Sequence, residues 1–106
     1  TGMNNPKTYC FDLDGTLCTT IDGDYKNSKP IEKNINILNN LFKDGNKILI
    51  FTARGSSTGI DWRDLTEYQL NLWGVNYTEL ILGKPEADIF IDDKAHNAEN
   101  WFSEFN

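Results

Sequence analysis

The chain has 106 residues, with ten Lys or Arg against sixteen Asp or Glu and a formal net charge of −6. At this length folding buries roughly two-thirds of the extended chain's surface, enough for one core and not two, so a single domain is expected over residues 3–106, without a second, substrate-covering domain. An acidic balance without Lys/Arg runs removes the electrostatic footprint by which most proteins hold nucleic acid or anionic membranes. The longest aliphatic or aromatic run, Ile48 to Phe51, is far short of the ~20 residues a membrane span needs.

Thr1-Gly2 ahead of Met3 reads as a cloning scar, and no charged start followed by an apolar stretch suggests a secretory leader. Two cysteines, Cys10 and Cys18, do not make a disulfide framework. A reducing cytoplasm is the expected location.

Lys7 to Asp12 is rich in β-formers and runs straight into turn residues around Gly15, which predicts a buried strand ending in acids. Leu17 to Lys29 shifts to Thr, Asp, Gly, Asn and Ser, as a surface loop or small hairpin does. Pro30 and Glu32 then open a helix whose apolar positions Ile31, Ile35, Leu38, Leu41 and Phe42 recur at helical spacing until Gly45. Lys47 to Thr52 is a continuous apolar strand of the kind covered on both faces in a parallel sheet.

A Gly/Ser loop follows, after which Asp61 caps a second helix carrying Trp62, Leu65, Leu72 and Trp73 and stopping at Gly74. Glu79 to Leu82 is a third strand, Ala87 to Asp92 a fourth, and Ala95 to Phe105 a closing helix. Strands and helices alternating with short connections imply an α/β fold, a three-layer, Rossmann-like, mainly parallel sheet with helices on both faces.

In such open sheets ligands bind in the crevice outside the carboxyl ends of the strands. That is where the polar signals fall: Asp12 and Asp14 after the first strand, Thr52 after the second, Asp92 and Asp93 after the fourth, and Lys84 in the loop leading to it. Clustered carboxylates repel one another unless a cation sits among them. Oxygen ligands without His or thiolate favour Mg²⁺, which leaves positions for phosphate oxygens. A carboxylate beside such a cation and an ammonium group can attack phosphorus and form an aspartyl phosphate.

The run Phe11-Asp12-Leu13-Asp14-Gly15-Thr16-Leu17 resembles the first motif of the haloacid dehalogenase superfamily. Phe51-Thr52-Ala53-Arg54 resembles its second motif, Lys84 its third and Ile89-Phe90-Ile91-Asp92-Asp93 its fourth, in the family's order. Within the superfamily the chain is similar to small, capless capsular polysaccharide biosynthesis phosphatases, through Phe-Thr-Ala-Arg-Gly, Thr-Gly-Ile-Asp-Trp-Arg and Ile-Asp-Asp-Lys-Ala.

The resemblance implies a Mg²⁺-dependent phosphomonoester hydrolase without a cap domain, acting on a sugar phosphate or phosphorylated glycan. It makes Asp12 the nucleophile, and Asp14 the acid that protonates the leaving alkoxide and later activates water. Asp14 also offers a backbone carbonyl to the metal, Gly15 and Thr16 shape the turn that meets the substrate, and Thr52 and Ala53 bind the phosphoryl group; Arg54, by its position beside Thr52, is a further candidate to bind the anionic substrate. Lys84 neutralises charge on Asp12, Asp92 ligates the metal directly, and Asp93 completes or orients its shell.

Other readings stay open at this stage. Asp-x-Asp in a turn also makes an Asx turn, and the same residue types serve a phospho-accepting signalling module, a noncatalytic binding module, or a phosphatase of protein or nucleic-acid ends. Arg54 has a salt bridge to a nearby acid as its plainer role, Arg63 is expected in such a bridge, Trp62 is a candidate to stack on a sugar or base with a core position as its plainer role, and Tyr25 and Asp24 are candidates to line the mouth of the site. His96 reads as a surface residue and Cys10 as a small core residue. The aromatic residues near the C-terminus pack on the sheet or join subunits into a homo-oligomer.

Overall fold

The computed structural model describes residues 6–85, 87–89 and 91–105; Thr1 and Gly2 lie outside them. Strand β1 (Thr8–Asp12) leads into a small antiparallel hairpin, β2 (Cys18–Thr19) and β3 (Lys29–Pro30), with a single 3-10 turn at Tyr25–Asn27 between its strands. Helix α1 (Glu32–Lys43), strand β4 (Lys47–Thr52), helix α2 (Arg63–Leu72), strand β5 (Glu79–Leu82) and helix α3 (Ala98–Ser103) follow. The three longer strands form a parallel sheet in the order β1-β4-β5, with Asp12 beside Phe51 and Thr52 beside Leu82. This is a small α/β, Rossmann-like domain, and the register brings the carboxyl ends of all three strands to one edge.

The core lies on one face of that sheet. Ile48, Ile50 and Leu80 meet Ile35 and Leu38 of α1, Leu70 of α2 and Phe102 of α3 in a single apolar cluster. Phe11 joins it through aromatic contacts with Trp101 and Phe102, at ring centroid distances of 5.6 and 6.0 Å. On the alternate positions of the strands Leu49 and Phe51 are only half-buried. Side chains of successive strand residues point to opposite faces, so Cys10, between Tyr9 and Phe11, points away from the cluster. It is exposed, which corrects the expectation of a core residue.

The strand expected over Ala87–Asp92 is not seen among the described residues of that segment, and Phe90 lies outside them. Gly83 adopts φ +104° and Pro85 has no N–H to give to a ladder. Lys84, Pro85, Ala87 and Asp88 line a cavity at the strand ends, and Ile89 and Ile91 are 76% and 95% exposed. The other elements match their sequence signals, with boundaries shifted by tertiary contacts. Pro30 belongs to β3, and Asp61 does not cap α2 directly but accepts a hydrogen bond from the Arg63 N–H at 3.0 Å.

Candidate active site

Asp12 ends β1, and the chain turns sharply over the next five residues. Leu13 and Leu17 are wholly buried and anchor that turn. The Leu13 carbonyl accepts hydrogen bonds from the Thr16 and Leu17 N–H groups at 3.1 and 2.8 Å, and Gly15, at φ +85°, donates to the Cys18 carbonyl at 2.7 Å. The left-handed conformation at position 15 suits glycine, since any Cβ there would be strained. Thr16 is buried inside the turn, and its carbonyl accepts from Asn34 Nδ2 at 2.8 Å.

The turn projects Asp12 and Asp14 into an open cavity of about 680 Å³, which Ala53, Lys84, Tyr25 and Asp88 also line. Lys84 Nζ lies 3.3 Å from Asp12 Oδ1, and the lysine side chain is 17% exposed. Its backbone is fixed on both sides: the N–H donates to the Thr52 carbonyl at 3.1 Å, and the carbonyl accepts from Ser56 Oγ at 2.6 Å. The strand end and the Gly/Ser loop therefore both aim the ammonium group at Asp12.

Asp14 is held from another direction. Arg54 reaches it with two prongs, Nε to Oδ2 at 3.0 Å and Nη2 to Oδ1 at 2.8 Å. Thr20 Oγ1, in the Leu17 to Lys29 insertion that carries the β2–β3 hairpin, donates to Oδ1 at 2.6 Å. Burial alone would raise the Asp14 pKa, but the hydrogen bonds from Arg54 and Thr20 and the guanidinium charge outweigh it and hold the carboxyl below its ordinary value. Cys18 Sγ, 3.4 Å from the same Oδ1, feels the opposite effect: burial first, then the Asp14 charge, pushes its thiol up to about 11.

Of the residues singled out in the sequence, Asp12, Asp14, Ala53, Arg54 and Lys84 meet around this cavity. Thr52 is close by but wholly buried, and its Oγ1 accepts from the Arg54 N–H at 3.1 Å. Thr16 belongs to the turn beneath the cavity. Asp92 and Asp93 stand on an exposed loop and are not among the residues that line the cavity; Asp92 Oδ1 accepts from the Lys94 N–H at 2.9 Å and Asp93 Oδ2 lies 3.3 Å from Lys94 Nζ. Arg63 pairs with Glu67 at 3.1 Å, and Trp62 packs edge-on against Tyr25 at 5.0 Å. His96 is exposed.

Residues 9–77, which hold the Asp-x-Asp turn, Thr52 and Arg54, match the family described as haloacid dehalogenase-like hydrolase. The chain belongs to the haloacid dehalogenase-like hydrolases. It is accordingly a phosphatase-type enzyme, and its substrate is a phosphate ester. A crystal structure of a Vibrio cholerae protein superposes with a TM-score of 0.83 at 30% identity, over 92% of this chain and 88% of that one.

Two structures of the Pnkp1/Rnl/Hen1 RNA repair complex share the fold, with TM-scores of 0.61 and 0.60 and 19% identity. They are matched over 96% and 94% of this chain but only 35% and 30% of theirs. No functionally curated protein matches the sequence. Among the described residues no helix is long and apolar enough to cross a membrane.

Haloacid dehalogenase-like enzymes generally depend on Mg²⁺. Among the described residues no three His, Cys, Asp or Glu side chains converge closely enough to hold a metal ion by themselves. Mg²⁺ sites commonly use one or two carboxylates and leave the remaining positions to water and phosphate oxygens. Asp12 presents a carboxylate to the open cavity, an oxygen donor that fits that chemistry.

Sequence reasoning missed Thr66 and Gln69, both buried on α2 and both bonded to Arg54 Nη1, at 3.2 and 2.6 Å. The signal was there: two polar residues three apart on one helical face, next to Leu70.

Proposed function

We propose that this protein is a Mg²⁺-dependent phosphomonoester hydrolase that works through an aspartyl phosphate on Asp12. The observation that carries the reading is the pairing of Asp12 with the Lys84 ammonium group beside a separately held carboxylate, Asp14, on one open cavity. The ammonium group lies against the Asp12 carboxylate, the proposed nucleophile, and faces the charge that gathers on the phosphoryl oxygens.

An Asp12 oxygen attacks phosphorus, the bond to the ester oxygen breaks, and the departing oxygen keeps the electron pair and takes up a proton from solvent; Asp14 returns one to solvent after the second step. Water then attacks phosphorus, gives a proton to Asp14, and releases phosphate and free Asp12. Arg54 and Thr20 favour the carboxylate form of Asp14, the form that this second step requires. The same pairing disfavours the carboxylic acid that would protonate an alkoxide in the first step.

Mg²⁺ would be held by the Asp12 carboxylate and the Asp14 backbone carbonyl, with Asp92 and Asp93 as the acids that the family resemblance assigns to it. When bound it supplies positive charge against the clustered carboxylates and the phosphoryl oxygens. The Ala53 N–H at the end of β4 is the proposed phosphoryl donor, and the buried Thr52 hydroxyl, which the resemblance assigns the same task, braces the turn beneath it through the Arg54 N–H.

The substrate proposed is a sugar phosphate or a phosphorylated glycan intermediate of surface polysaccharide synthesis, supported by the similarity to capless capsule phosphatases and by the openness of the cavity. A phosphorylated nucleic-acid end is the second reading, because the fold recurs in an RNA repair complex; the net charge of −6 weighs against it. The test is phosphate release from sugar phosphates, nucleotides, a 3′-phosphorylated oligonucleotide and a phosphopeptide, with and without Mg²⁺, for the intact protein and Asp12→Asn. Mg²⁺-dependent release that Asp12→Asn abolishes supports the mechanism, and release unaffected by that substitution overturns it.

A further inference from the structure

We infer that Arg54 is a positioning residue, acting on the reaction through Asp14 and not by binding the substrate's phosphate. The inference rests on the phosphatase reading above and changes the role that the sequence suggested for this arginine. A guanidinium group has five N–H donors, and the protein supplies an acceptor for each. Nε and one Nη2 hydrogen go to the two oxygens of Asp14, the second Nη2 hydrogen to Ser28 Oγ at 3.3 Å, and the Nη1 pair to Thr66 Oγ1 and Gln69 Oε1.

The Tyr25 ring covers the guanidinium face, with its centroid 4.7 Å from Cζ. Although Arg54 forms part of the cavity wall, its side chain is 0% exposed. Neither an edge nor a face remains to meet a phosphate.

The same contacts explain what the arginine does. Ser28 and Tyr25 come from the insertion, Thr66 and Gln69 from α2, and Asp14 from the turn after β1. Gln69 Nε2 closes the frame by donating to the Tyr25 carbonyl at 2.6 Å. A planar, two-pronged grip fixes both the place and the plane of the Asp14 carboxylate. Among the described residues Oδ1 also receives Thr20 Oγ1 and Cys18 Sγ, whereas Oδ2 receives Arg54 Nε alone. Oδ2 is thus the oxygen left with room to meet a water molecule.

Steady-state kinetics on the substrate found active in the panel, together with inhibition by inorganic phosphate, tests this. Misplacing a reacting group by about 1 Å can cost about 100-fold, so Arg54→Ala is expected to lower kcat by about that factor. KM and the inhibition constant for phosphate should stay within about threefold. On an Asp14→Asn background the same substitution should change kcat by less than about threefold, since the two act as one unit.

A rise in KM and in the phosphate inhibition constant together, or full additivity with Asp14→Asn, overturns the inference. Should Arg54→Ala fail to fold, Arg54→Lys and Thr66→Val decide the matter. Each loosens the grip while keeping the buried charge, so a fall in kcat at constant KM is expected, and an unchanged kcat in both overturns the inference. Asp12→Asn separates the two failures: activity surviving that change removes the phosphatase reading itself, whereas activity lost there with KM raised by Arg54→Ala removes only the role given to Arg54.

Discussion

Arg54 and Asp14, 40 positions apart in the chain, form a two-pronged ion pair at 3.0 and 2.8 Å, with the arginine side chain wholly buried and the aspartate side chain 27% exposed. Breaking such a pair from one side strands the other charge in a poorly solvated place, which commonly costs more than the intact pair contributes. The pair therefore ties stability to the catalytic turn.

The pair makes stability depend on pH in a definite direction. The folded pKa of Asp14 lies below its ordinary value of 3.8, so the folded protein binds fewer protons there than the unfolded chain. The contribution is then fully present above about pH 4 and is lost as pH falls through the lowered folded value. In urea unfolding, Asp14→Asn is expected to be less stable than the native sequence by about 2–3 kcal/mol at pH 7, because Arg54 loses its partner. The gap should narrow as pH falls through the lowered folded value, where the native Asp14 becomes neutral too. A gap that stays constant with pH would show that the two residues are not coupled.

Much of this site was legible in the sequence because its chemistry sits at strand ends. Asp12 follows a β-rich run, Lys84 follows the third strand by two residues, and the parallel order brings both to one edge. The Arg54 frame was not legible, because periodicity marks apolar positions and α2 buries two polar ones, Thr66 and Gln69, to serve an arginine that the sequence placed on substrate. Asp92 and Asp93 show the opposite limit. Their β-rich context predicts a strand, but a sheet position needs a ladder partner as well as propensity, and the described residues around them have none.

Lys84 should matter far more to catalysis than to folding. Its pair with Asp12 is partly exposed, so Lys84→Met is expected to shift stability by less than about 1 kcal/mol. Removing a cation that faces the developing phosphoryl charge should lower kcat by about 100-fold or more. Thermal melting beside steady-state kinetics separates the two effects, and a large loss of stability with little loss of turnover would make Lys84 a structural residue.

The two thiols should react at very different rates. Cys10 is exposed, whereas Cys18 is buried and its pKa is pushed up to about 11. At pH 8 a thiol with that value is thiolate in only about one molecule in a thousand, and the thiolate is the species that reacts. Alkylation followed by mass spectrometry should label Cys10 first and Cys18 only on unfolding. The Cys10 pKa is also raised, by partial desolvation against the sheet and by the Asp12 charge, against the lowering effect of Lys84. Its labelling at pH 8 should therefore be slower than that of a fully solvated thiol, and slower still in Lys84→Met, which lacks the one influence pulling the value down.

Gly55 is the backbone position on which the loop after Thr52 turns. It adopts φ +83°, and a Cβ there would run into the Ile60 carbonyl oxygen and press on the Trp62 ring at 3.1 Å. Both obstacles point the same way: the conformation is costly for any residue with a Cβ, by about 1–3 kcal/mol, and the carbonyl belongs to backbone that cannot swing aside as a flexible side chain would. Gly55→Ala is thus expected to destabilise the fold by at least about 1 kcal/mol. Because Ser56 Oγ donates to the Lys84 carbonyl at 2.6 Å, a displaced loop should also loosen Lys84 and lower turnover in the folded fraction. Gly59→Ala, at φ +75° with nothing within 4 Å of the added methyl group, carries the conformational cost without the collision. It should be the milder of the two in both stability and activity, and equal effects would rule out the collision as the cause.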